Sequence, residues 1–348
     1  MPTTVATTAS SQAGRRLDRK LRNIATGHYT ADDFVLADAK DADMAFGVTA
    51  AGLTAGTVAG APTRAAGPGS YRSRDAYLAA MRAQIAQGTI DVLLTSASNA
   101  ERLASDGSLD ADGITLAVRG NDSTDIWLAR GSSYATQPSR PFRTVDLAAI
   151  RPFCDLLLYS ITLNNDLDHD LATLEAYGEF RREAASIGVR HFLEVFDPNA
   201  PAGLESGQVG AFVNDSIIRA LAGVTSAQRP LFLKIAYNGA DALAELVEHD
   251  PSLVVGILGG SAGTTLDTFE LLHRAHLSGA RVALFGRKIQ QAESQLGLVG
   301  LMRPVLRGEL SPVDAVRAYH RALAAAEIVP RRSLEADLEL SDPVLRSE

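Results

Sequence analysis

Eight short apolar runs recur along this chain of 348 residues, and longer stretches with helical spacing separate them. They are FVLADAK (34–40), IDVLLTS (90–96), ITLAVR (114–119), DLLLYSIT (155–162), RHFLEVF (190–196), PLFLKIAY (230–237), LVVGILGG (253–260) and ARVALFG (280–286). Apolar runs of this length suit strands buried on both faces of a parallel sheet. The segments between them carry helix signals. Residues 170–187 show helical spacing, with Gly188 as the stop. Thr264 with Asp267 forms a capping pattern that opens a helix through Ala275. Ser311 followed by Pro312 starts a last long helix, through residue 326. Eightfold strand–helix alternation is the pattern of a single-domain (β/α)8 barrel. A doubly wound sheet is the fold alternative, but it more often stops at about five to seven strands.

The barrel is expected over 21–330, after a disordered polar tail at 1–20 and before a polar extension at 331–348 that wraps a neighbour or frays. The stretch 55–74, rich in Gly, Pro and Ala, follows the first strand and therefore belongs to the catalytic face. A mobile lid and a tolerated insertion fit it equally well. A net charge of −8 argues against a general nucleic-acid binder, which needs a basic face. The single cysteine, Cys154, excludes an internal disulfide framework and fits a reducing, cytoplasmic setting. No apolar run approaches the roughly 20 residues of a membrane span, and the first residues lack the pattern of a secretory signal. The histidines are scattered away from the expected mouth, and DLDHD (166–170) lacks the glycine and closing glutamate of a calcium loop, so no metal is expected.

A barrel places its chemistry where its strands end. Only four of the 33 basic residues are lysines: Lys20, Lys40, Lys234 and Lys288. Lys234 interrupts the sixth run. Desolvation lowers a lysine pKa and makes the amine a nucleophile; the alternative is a buried lysine paired for packing. Glu194 shares a strand face with Phe192 and Phe196. Beside an inward lysine it is either a proton shuttle or a salt-bridge partner. Asp38 and Lys40 also share a face. If that face is inward, they bring a carboxylate and a second amine to the mouth; otherwise they lead into a solvated loop. Arg119 ends the third strand and is a candidate anion holder. The turns containing Gly259, Gly260 and Ser261, then Gly286 and Arg287, follow strands seven and eight, where barrels often bind phosphate. Tight strand–helix turns are the plainer reading of both. Lys288 lies next to the second turn.

Lysine within LFLKIAY, Gly-Gly after the seventh strand and Gly-Arg after the eighth resemble the Schiff-base class I aldolases. The nearest groups are the deoxyribose-phosphate, tagatose-bisphosphate and archaeal-type fructose-bisphosphate aldolases. The resemblance covers residues 30–325 in architecture, with its motifs concentrated in 190–290. It implies that Lys234 forms the imine, Glu194 transfers protons and Asp38 is the first-strand active-site aspartate. It also implies a phosphate site at Gly259, Gly260, Ser261, Gly286 and Arg287, and no cofactor. The fourth strand departs from the pattern, because LLLYSIT carries no lysine or acid. Tyr71 and Arg72 have no match either.

The expected activity is cleavage or formation of a C–C bond in a phosphorylated sugar or keto compound, by a homo-oligomer without nucleic-acid or membrane partners. Two rivals stay open: a phospho-sugar isomerase or epimerase with Glu194 as base, and a non-catalytic ligand-sensing barrel.

Overall fold

The computed structural model describes residues 16–54, 70–109 and 113–347. Most of the 55–74 stretch lies outside these residues, although Leu53 and Tyr71 pair antiparallel at its two ends. All eight runs form strands: β1 (Val35–Lys40), β2 (Val92–Thr95), β3 (Thr115–Arg119), β4 (Leu156–Thr162), β5 (Arg190–Phe196), β6 (Leu233–Ile235), β7 (Gly256–Leu258) and β8 (Val282–Phe285). Each pairs in parallel with its neighbours in sequence, and β8 closes on β1. This is the (β/α)8 barrel.

Strand alternation sorts the core into two layers. Val35, Ala37, Val92, Leu94, Leu158 and Phe192 belong to an inner cluster. Leu36, Leu93, Val118, Tyr159 and Leu193 pack outward in a cluster with the helices. Gly256 is required where β7 crowds its neighbours: a Cβ there would lie 2.6 Å from the Leu233 carbonyl oxygen.

The helices begin and end on local signals. α1 is Arg16–Ala25, α2 is Arg74–Gln87 and α3 is Ala97–Ser105. α4 is Leu167–Ser186, α5 is Val209–Ala222 and α6 is Ala240–His249. α7 is Thr265–Leu277, α8 is Gln295–Leu306 and α9 is Pro312–Ala325. Asp166 caps α4, and Gly188 follows its end at a φ of +69°. Thr264 and Asp267 form a reciprocal capping box on α7. Ser311 caps α9, with Pro312 in its first turn. Between β3 and β4 a short antiparallel pair, Asp122–Ser123 with Pro141–Phe142, was not expected from the sequence.

Both chain ends differ from expectation. α1 begins at Arg16, inside the segment expected to be a tail, and its Leu17 is buried in the inner cluster. Lys20 is buried too, and donates to Asp91 at 2.9 Å and to the Phe34 carbonyl at 3.0 Å. The C-terminal extension docks on its own barrel: Asp337 accepts from Thr265 N–H at 2.8 Å, and Leu345 is buried.

One buried group gives the fold a pH dependence. His191, the second residue of β5, lies on the outer face, packs edge-on to Phe180 and meets the Tyr177 hydroxyl at 2.9 Å. Burial, assisted by Arg181, lowers its pKa to about 4. The unfolded chain therefore binds a proton between its ordinary value and about 4 while the folded chain does not. His191's contribution to stability is complete above the unfolded value and is lost as pH falls towards the folded one. At 1.36 kcal/mol per unit, the loss is about 3 kcal/mol. Urea unfolding from pH 7 to pH 4 should show a steeper decline in the native protein than in His191→Gln.

Candidate active site

Four consecutive strands place polar side chains in one inward belt near their C-terminal ends. Ser160 on β4 is the register partner of Glu194 on β5, and Glu194 is the partner of Lys234 on β6. Arg119 ends β3 beside them. The belt is nearly dry, with Lys234 only 6% and Glu194 only 2% exposed.

Glu194 is its centre. One carboxylate oxygen, Oε1, lies 2.5 Å from the Lys234 ammonium. The other, Oε2, accepts from the Ser160 hydroxyl at 2.6 Å and from Arg119 Nη1 at 3.4 Å. The same Nη1 donates to Asp41 at 2.8 Å, while Nη2 donates to Ser160 at 2.8 Å and Nε to the Asn121 carbonyl at 3.0 Å. Asn121 locks this corner by exchanging two hydrogen bonds with the Ser160 backbone. Burial opposes the Arg119 charge, but Asp41 and Glu194 outweigh it and raise its pKa further. Two cations and two carboxylates thus balance in a desolvated site. At 2.5 Å the Lys234 ammonium and the Glu194 carboxylate are in direct hydrogen-bonding contact.

The structure corrects three expectations. Asp38 and Lys40 share a face, but it is the outer one, because Val35, Ala37 and Ala39 occupy the inner cluster. Lys40 pairs with Asp38 at 3.2 Å and donates to Gln290 at 2.8 Å and Gln295 at 2.9 Å. Burial lowers the Lys40 pKa and raises that of Asp38, each opposed by its partner. The second cation of the belt is therefore Arg119, and its second carboxylate is Asp41, the residue after β1. Arg119 itself is a clamp within the protein rather than a free anion holder, since its partners are already placed. The sequence reading missed Ser160, Asp41 and Asn121. Ser160 had a signal, because LLLYSIT puts it on the face of Leu156 and Leu158.

The glycine turns sit next to each other. A Cβ on Gly259 would lie 3.1 Å from the Phe285 ring, and one on Gly286 would lie 3.2 Å from the Ala39 carbonyl oxygen. Gly260 adopts a φ of +63°. Ser261 and Arg287 are exposed. Two cavities, of about 280 and 290 Å³, lie elsewhere, the first at Arg140 and His169 and the second beside Lys288. Among the described residues, no group of three or more His, Cys, Asp or Glu is placed to hold a metal ion. No described helix is long and apolar enough to cross a membrane.

No protein-family model matches this chain, and no curated protein matches it. Solved structures do. Fructose-bisphosphate aldolase from Slackia heliotrinireducens superposes with a TM-score of 0.60 at 16% identity, covering 92% of this chain and 95% of that one. An archaeal fructose 1,6-bisphosphate aldolase gives 0.58 at 14% identity, covering 84% and 99%. What these structures share with this chain is the (β/α)8 fold. A structure of an archaeal fructose-1,6-bisphosphate aldolase with its catalytic lysine covalently bound to the carbinolamine intermediate gives 0.57 at 14% identity, covering 84% and 100%.

Proposed function

We propose that this barrel is a class I aldolase that makes or breaks a C–C bond of a phosphorylated sugar or related keto compound through an imine on Lys234. The observation that carries the reading is the dry contact of 2.5 Å between Lys234 and Glu194 at the mouth end of adjacent strands. The archaeal aldolase trapped as a carbinolamine on its lysine supports it.

Glu194 takes a proton from Lys234, and the neutral amine attacks the substrate carbonyl. Glu194 returns the proton as the carbinolamine loses water, leaving a protonated imine. Asp41 accepts the proton of the hydroxyl on the carbon that departs. The C–C electron pair moves to the imine nitrogen, an aldehyde leaves and an enamine remains. The proton held by Asp41 then passes through water to Glu194, which delivers it to the enamine carbon, and water hydrolyses the resulting imine to release the ketone and the free Lys234 amine. Gly259, Gly260, Ser261, Gly286 and Arg287 hold the phosphate and fix the substrate's orientation. The lysine supplies the electron sink, so the chemistry calls for no cofactor. Cytoplasmic location and homo-oligomeric assembly belong to the same proposal.

An isomerase using Glu194 as base and Lys234 as an electrostatic clamp would use the same ion pair. Borohydride separates the two. It should inactivate the enzyme only when a carbonyl substrate is present. Turnover that survives borohydride in the presence of substrate would favour the isomerase.

A further inference from the structure

The second cavity lies apart from the lysine–glutamate belt, between the start of α7 and the segment after β8. It measures about 290 Å³, and Lys288, Arg331, Arg332, Thr265 and Thr268 are among its walls. Lys288 is only 3% exposed. An ammonium has three donors, yet among the described residues its one hydrogen-bond acceptor is the Ala262 carbonyl, at 3.4 Å. An underpaired ammonium in a dry wall is costly. Burial lowers its pKa to about 8, against the pull of Asp267 and Asp342.

Those carboxylates do not fill the cavity. Asp267 accepts from Thr264 N–H at 2.8 Å and Ser341 N–H at 2.9 Å, and also from the Ser341 hydroxyl. Among the described residues, Glu293 is the one carboxylate on the cavity wall, and Arg331 N–H and the Tyr319 hydroxyl already engage it, at 2.9 and 3.2 Å. The Arg331 guanidinium donates to the Gln291 carbonyl. Arg332 is exposed and has no hydrogen bond or ion pair among the described residues. Three cations therefore line one half-open space with spare donors. A tetrahedral oxyanion supplies several acceptors at that range, and such charge-assisted bonds are the strong ones.

We propose that this cavity binds a phosphate group, free or as a monoester, with Lys288 at the floor and Arg331 and Arg332 at the rim. It adjoins the phosphate loops of the proposed active site, because a Cβ on Gly259 would lie 3.4 Å from the Lys288 stem, but none of Gly259, Gly260, Ser261, Gly286 and Arg287 lines it. The proposal does not depend on aldolase activity.

Calorimetric titration with inorganic phosphate and with methyl phosphate tests it. Lys288→Met keeps the chain length without the charge, and Arg332→Ser changes an exposed residue with little bearing on folding. Each variant should weaken binding about tenfold or more, the loss expected for a charge-assisted bond. Tighter binding of methyl phosphate would assign the site to esters, and the reverse to free phosphate. Three results would overturn the proposal: no binding by the native protein up to about 10 mM, affinity unchanged in either variant, or binding abolished by Arg287→Ala, which would move the anion to the barrel mouth.

Discussion

Glu194→Gln is expected to lower kcat by about 10²- to 10⁴-fold, the usual contribution of a positioned acid–base group. The amide keeps the shape but cannot carry the proton to and from Lys234. It also leaves Lys234 and Arg119 facing Asp41 alone, so the belt acquires an unbalanced positive charge. Removing one partner of a buried pair costs about 3–5 kcal/mol. Stability should therefore fall together with kcat. The double variant Lys234→Met with Glu194→Gln restores the balance. It should recover stability relative to Glu194→Gln while remaining inactive. Steady-state kinetics and chemical denaturation of the singles and the double close the cycle. A double variant less stable than the sum of the singles would contradict charge balance as the cause.

Arg119→Met should destabilise the protein by about 3–5 kcal/mol, because Asp41 and Glu194 would share the belt with Lys234 as the only cation. Arg119→Lys should recover little of this. One guanidinium reaches Asp41, Glu194, Ser160 and the Asn121 carbonyl at once. A lysine ammonium lacks that planar, branched geometry. Denaturation midpoints check the stability, and kcat should fall in both variants as Glu194 loses its fixed position. A Lys variant as stable and active as the native protein would show that charge alone suffices at this position.

The strands were legible because each is an apolar run, and Lys234 and Glu194 stood out by interrupting two of them. Which face of β1 points inward was not legible. Its residues 35–37 are all apolar, so alternation gives no direction until the neighbouring strands are in place. One step of parity separates Asp38 on the outer face from the inner cluster. Asp41 lies just past the strand, where strand parity no longer applies. Ser160 was passed over because charged residues were sought, whereas its register with Glu194 is what places it. The capping of α7 by Asp337 joins residues 72 apart in sequence and has no local signal. Lys20 read as part of a polar tail because its partner Asp91 is 71 residues away.

The central claim is that Lys234 forms a covalent imine with a carbonyl substrate. Borohydride reduction during turnover, followed by mass analysis of the digested chain, tests it most directly. The account predicts a stable adduct on the peptide containing Lys234, absent from Lys234→Ala and absent when substrate is withheld. Turnover without any adduct on Lys234, or an adduct carried instead by Lys40 or Lys288, would contradict it.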